Sequence, residues 1–122
     1  MLRLIAFILA LFISATSPSA NAANFSGNYL LHVCAMNEDG SEVVQGGHTA
    51  CQGYIAGMID YHNVLRGLGT APSIDFCIPE GEDLYAIQKN VYRYFYYKRD
   101  QHGEFVASPG IGLALSNFYP CK

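Results

Sequence analysis

The chain has 122 residues, a formal net charge of −3, 51% apolar residues and 14% charged ones. That length allows one small domain with a modest core, and the acidic balance argues against nucleic acid or an anionic lipid surface as partner. Nine tyrosines, no tryptophan and four cysteines are the compositional features left to explain.

Residues 1–22 read as a cleaved signal peptide. Arg3, the apolar run Leu4–Ile13 and Ala20-Asn21-Ala22 supply its basic, apolar and cleavage-site parts. The run is shorter than the roughly 20 residues a bilayer span needs. The mature domain is therefore expected to be residues 23–122, exported, with no stable membrane insertion after cleavage, and about one unit more acidic once Arg3 is lost. In an exported small domain, Cys34, Cys51, Cys77 and Cys121 read as two disulfides with three possible connectivities.

The mature chain is expected to be all-α, with four to five helices. Phe25, Tyr29, Leu30 and Val33 mark a first short helix with Ser26 as N-cap. The pattern breaks in NEDGSEVVQGG, residues 37–47, where glycines and charges intervene. A second helix is expected from about Thr49, with Cys51, Tyr54, Ile55, Met58, His62 and Leu65 on one stripe. After RGLGTAPS, Pro79, Glu80, Glu82 and Asp83 suit the start of a third helix, whose stripe is Leu84, Ile87, Val91, Tyr94 and Phe95. That helix is expected to fray in YYKRDQHGE, and GEFVAS carries a weak strand signal. Ser108-Pro109 reads as the cap and first residue of a last helix, with Ile111, Ala114, Leu115 and Phe118 inward and Pro120 ending it.

Antiparallel pairing of the first two helices would bring Cys34 near Cys51, and of the last two, Cys77 near Cys121. The alternation can equally be read as Cys51–Cys77 inside Cys34–Cys121. Each bridge would stabilise by roughly 3–4 kcal/mol.

The stretch CQGYIAGMIDYH places a thiol, a carboxylate and an imidazole close in sequence. On one helix, however, Cys51 and His62 lie roughly 16 Å apart along the axis, far beyond the reach a nucleophile and its base require. Neither HExxH nor CxxC occurs, and oxidised cysteines do not ligate metals. No catalysis, cofactor or metal is expected.

Two features remain. Gly53 and Gly57, four apart on a helix, each cost about 1 kcal/mol relative to alanine, which points to a packing or dimer face. The stretch VYRYFYYKR, residues 91–99, carries more aromatics than one core stripe uses, and Tyr85, Tyr92 and Tyr96 form a second face. Tyrosine and arginine dominate protein–protein hot spots, so this face is expected to serve self-association or a partner, and Tyr85 and Tyr92 join Gly53 and Gly57 as candidates for a dimer or packing face.

The cysteine pair spaced C(x16)CQGYIAGMIDYH, then FCIPEG, a tyrosine-rich helix and a final ALSNFYPC, span Phe25 to Cys121. Together they resemble the Tai-type immunity proteins, the Rap/Tai group. The resemblance implies an all-α fold with disulfides from these cysteines, a homodimer, and no catalysis. It implies a periplasmic antitoxin that blocks the active-site cleft of a cell-wall amidase effector delivered by type VI secretion. The contact residues lie outside the shared motifs. By composition and exposure the candidates are Tyr96, Tyr97, Lys98, Arg99, Asp100, Gln101, His102, Gly103 and Glu104, read as a charged loop able to enter a cleft. A periplasmic protein-binding or chaperone-like module using the tyrosine face is the alternative.

Overall fold

Five helices and no strand make up the described residues, 25–70 and 73–122, of the computed structural model. The expected signal peptide lies outside them. The helices are α1 (Gly27–Cys34), α2 (Gly47–Gly67), α3 (Leu84–Tyr97), α4 (Arg99–His102) and α5 (Ala107–Phe118). None of them is long and apolar enough to cross a membrane.

Ser26 caps α1 as its sequence position predicts, its hydroxyl accepting from the Tyr29 amide at 3.1 Å. Leu30, Val33 and Cys34 then face the core. The connection to α2 is a tight reversal. Met36 and Glu42 form an antiparallel bridge, and Gly40, at φ 84°, makes the turn between them. The start of α2 differs from the expectation at Thr49. The helix begins at Gly47, because the Glu42 carboxylate accepts from the Gly46 and His48 amides at 2.8 and 3.2 Å and does the capping that Thr49 was assigned. Those hydrogen bonds, first from Gly46 and then from His48, hold the Glu42 carboxyl below the usual glutamate range.

The third helix also starts later than its acidic run suggests. Gly81, at φ 80°, and a turn from Pro79 O to Glu82 N keep that run out of the helix. Asp83 caps α3 instead, accepting from the Tyr85 amide. The buried stripe of α3 is Ile87, Gln88, Val91 and Phe95. Gln88 is a fully buried amide, donating to Cys34 O at 3.1 Å and accepting from Gln52 at 2.8 Å, so it ties α3 to α1 and α2.

The predicted fraying after Tyr97 is replaced by the single-turn helix α4. The strand signal in GEFVAS reduces to one bridge, Ser26 to Val106. The backbone beside it is fully used: Gly27 N donates to Phe105 O and Asn28 N to Gly103 O, while Ala107 N donates to Phe25 O. That last bond sets the start of α5 at Ala107, one residue before the expected Ser108 cap. Pro109 falls in the first turn, where its missing amide proton leaves no bond unmade.

Both disulfides follow the helix-pairing arrangement. Cys34–Cys51 joins α1 to α2, and Cys77–Cys121 joins the segment before α3 to the tail after α5, with Cα separations of 5.1 and 4.9 Å. The core bridge lies with Leu30, Ile55, Phe76, Val91, Phe95, Ile111 and Leu115 in one apolar cluster.

Candidate functional site

The end of α3 carries the most exposed aromatic pair. Tyr96 is 61% and Tyr97 77% exposed, their rings edge to face with centroids 5.6 Å apart. They stay outside because Val91 and Phe95 already occupy the inward stripe of the helix. Tyr92 is half-buried and lies beside Tyr96, with centroids 6.2 Å apart. Lys89 and Arg93 continue this face as cations, Lys89 over the Tyr85 ring and Arg93 over the Phe118 ring. With Lys98 and Arg99 they set four cations against the two carboxylates of Asp100 and Glu104 on this side, in a chain that is acidic as a whole.

Tyr85 belongs elsewhere. Its hydroxyl donates to Gly40 O at 3.2 Å and reaches Met36 Sδ at 3.5 Å, so it staples the 36–42 turn to α3. The expected outward face of Tyr85, Tyr92 and Tyr96 therefore keeps only its later members.

The segment 98–104 is folded down and does not protrude as a loop. Asn28 clamps it from α1, its Oδ1 accepting from Arg99 Nε at 3.1 Å and its Nδ2 donating to Glu104 Oε1 at 2.6 Å. Gly103 is buried against Asn28, and a Cβ at Gly27 would collide with the His102 carbonyl. His102 is half-buried, its ring on Tyr94 and Phe95 with centroids 5.8 and 5.9 Å away. Lys98, Arg99, Asp100, Gln101 and Glu104 remain exposed beside Tyr96 and Tyr97, with Phe105 at 68%. The structure thus brings most of the predicted segment onto one edge. It turns His102 and Gly103 inward, because the stack on Phe95 and the close approach to Asn28 need them there. Phe105 is an exposed aromatic that composition alone left unassigned.

A second surface lies on α2. Its inward side carries Gly47, Cys51, Ile55 and His62. Its outward side carries Gly53, Gly57 and Tyr61, the last 64% exposed. A Cβ added at Gly53 or Gly57 would meet nothing within 4 Å. No helix of this chain uses the smooth strip expected from the two glycines, among the described residues. A shallow apolar groove of about 300 Å³ runs along the strip between Tyr54, Met58 and Tyr61. A further apolar groove of about 270 Å³ continues from Met58 and Tyr61 toward Ile74, Phe76 and Pro109.

His62 and Arg66 of α2 meet Asp75 from the segment that follows the helix. His62 is 4% exposed, stacks on Phe76 with centroids 3.8 Å apart, and has Nε2 2.9 Å from Asp75 Oδ1. The contact lies off the N–H axis, since neither ring nitrogen makes an aligned hydrogen bond. Arg66 Nε shares the same oxygen at 3.4 Å. This cluster anchors the segment before Phe76 to α2. Among the described residues no three His, Cys, Asp or Glu side chains are grouped to hold a metal ion.

A family model described as Rap1a immunity proteins matches residues 26–121, nearly the whole described domain. No curated protein and no solved structure matches the chain.

Proposed function

The chain belongs to the Rap1a immunity protein family, and from that premise we propose that it is a periplasmic, non-catalytic antitoxin that occludes the active-site cleft of a peptidoglycan amidase effector. The observation that carries the reading is the exposed, basic and aromatic edge formed by Tyr96, Tyr97, Lys98 and Arg99. Tyrosine offers large contact area with little side-chain entropy to lose, and arginine is enriched in hot spots. The clamp by Asn28 fixes the neighbouring segment before any partner arrives. A surface ordered in advance loses less entropy on binding. The reading differs from a flexible loop inserting into the cleft: here a stiff edge presents side chains, with Tyr97 and Phe105 as the projecting groups.

Two disulfides suit an oxidising compartment outside the cytosol, which supports a periplasmic site of action. The Gly53–Gly57–Tyr61 strip, whose glycines none of the described residues covers, is the face on which a second copy would pack, giving a homodimer.

The test is a titration of the oxidised mature chain into the cognate amidase while peptidoglycan cleavage is followed. The expected result is stoichiometric inhibition, weakened by more than about tenfold in the Tyr97→Ala, Lys98→Ala double variant. Lys98 and Tyr97 are chosen over His102 because neither is packed inward. Binding without loss of cleavage would favour the protein-binding module instead, and absence of binding would overturn the antitoxin reading for that amidase.

A further inference from the structure

The two disulfides occupy opposite environments. Both cysteines of Cys34–Cys51 are 0% exposed and sit inside the apolar cluster. Cys77 and Cys121 are only partly buried, and the neighbour of Cys121, Lys122, is exposed. A groove of about 480 Å³ opens at Cys77 between Pro79, Tyr119 and Lys122. Beside this bridge stands a cation: Arg66 Nη1 donates to Cys77 Sγ at 3.1 Å. Among the described residues no cation donates to the sulfurs of the core bridge, which lies in the apolar cluster with the neutral Gln88 amide on the Cys34 carbonyl.

Thiol–disulfide exchange depends on access, on which sulfur is attacked and on how well the other sulfur leaves. A neighbouring arginine stabilises a thiolate, so Cys77 is the better leaving group of its pair. Lys122, next to Cys121 in the chain, lines the same groove and adds a second positive charge to this end of the molecule. We infer that Cys77–Cys121 is a selective thiol–disulfide exchange site, attacked at Cys121 and leaving on Cys77, while Cys34–Cys51 is inert under the same conditions.

The co-reactant is a dithiol, as a small molecule or on a redox protein. One of its thiolates attacks Cys121 Sγ, forming a mixed disulfide. The bond to Cys77 breaks, and its electron pair leaves on Cys77 Sγ beside the Arg66 guanidinium. The second thiol of the same dithiol then attacks the mixed disulfide. Cys121 is released as a thiolate and the reductant departs as its own disulfide. Two electrons pass to the protein, and the protons come from the two thiols of the reductant. The product keeps its core bridge but has lost the covalent tie between the segment before α3 and the C-terminal tail.

Arg66 shares its charge with Asp75, 3.4 Å from its Nε, which gives the site a second handle. The oxidised full mature chain is exposed to limiting dithiothreitol, quenched with iodoacetamide and mapped by peptide mass. Alkylation at Cys77 and Cys121, with Cys34–Cys51 still joined, is the expected pattern, and opening of the two bridges together overturns the inference. Arg66→Gln should slow opening of Cys77–Cys121 by roughly tenfold, whereas Asp75→Asn, which frees the guanidinium, should speed it. Any general loosening of the fold would also accelerate Cys34–Cys51, so the core bridge is the internal control. With glutathione as a monothiol probe, the trapped adduct is expected on Cys121; an adduct mainly on Cys77 would reverse the assignment of the leaving sulfur.

Discussion

Glu42 has both carboxylate oxygens committed to backbone amides at the start of α2. Its folded-state pKa is depressed by those hydrogen bonds. Such a group contributes stability that is present above its unfolded value and disappears as the pH falls through its folded value. The window is therefore acidic, opening below the ordinary glutamate value of about 4.3. In Glu42→Gln the melting temperature should fall relative to the parent at neutral pH, and the gap should close as the pH is lowered through that window. A gap that stays constant with pH would mean that the carboxylate does not act as the cap. Glu42 was hidden in the sequence because it lies five residues before the helix, well outside the usual capping position, in a stretch that reads as a polar connection. Gln88 was hidden for the opposite reason. It occupies the inward stripe of α3 between Ile87 and Val91, where a pattern of apolar residues gives a polar one no weight. Its place is justified only by the partners it finds, Cys34 O and Gln52, and a buried amide without them would cost about 1–3 kcal/mol.

At the scale of elements, the helices themselves were legible because their apolar spacing is regular and their interruptions are glycine or proline. Their ends were not, wherever the cap came from a distant residue or from backbone across the fold. α5 starts where the Phe25 carbonyl accepts from Ala107, a contact between residues far apart in sequence. α4 exists because Asn28 holds Arg99 and Glu104, so spacing alone read that segment as a loop. The glycines of α2 show how a correct local signal can leave its purpose open. Two glycines on one face do mark a smooth strip, but none of the described residues packs on it. Alanine at Gly57 therefore meets no steric obstacle and reduces the entropy lost on helix formation. At concentrations low enough to keep the chain monomeric, Gly57→Ala should raise the unfolding free energy by about 0.5–1 kcal/mol, read from urea titration. Gly110 provides the contrast: a Cβ there would come 2.5 Å from Phe95 Cζ, so its absence of side chain is a packing requirement. A destabilised Gly57→Ala monomer would show that some contact of α2 has been misplaced.

For the molecule as a whole, two separate surfaces are built on different helices and share no residue. The basic aromatic edge belongs to the end of α3 and α4, whereas the glycine strip belongs to α2. The disulfides reinforce that division: Cys34–Cys51 secures α1 and α2 in the core, and Cys77–Cys121 ties the approach to α3 to the tail of α5. If the edge meets the effector and the strip meets a second copy, the two associations are separable by substitution. Gly57→Arg sets a long cation on an apolar strip, where each copy would face the other's charge across a two-fold axis. Light scattering or sedimentation should then find a monomer, while inhibition of the amidase per chain is retained. The Tyr97→Ala, Lys98→Ala variant should behave in reverse, keeping the parent's oligomeric state and losing inhibition. Loss of inhibition in Gly57→Arg, with its helical spectrum and melting intact, would instead place the effector on the α2 strip and leave the aromatic edge for self-association. The same pair of variants thus assigns each surface to its partner whichever way the result falls, because charge on the strip and truncation at the edge disturb different helices.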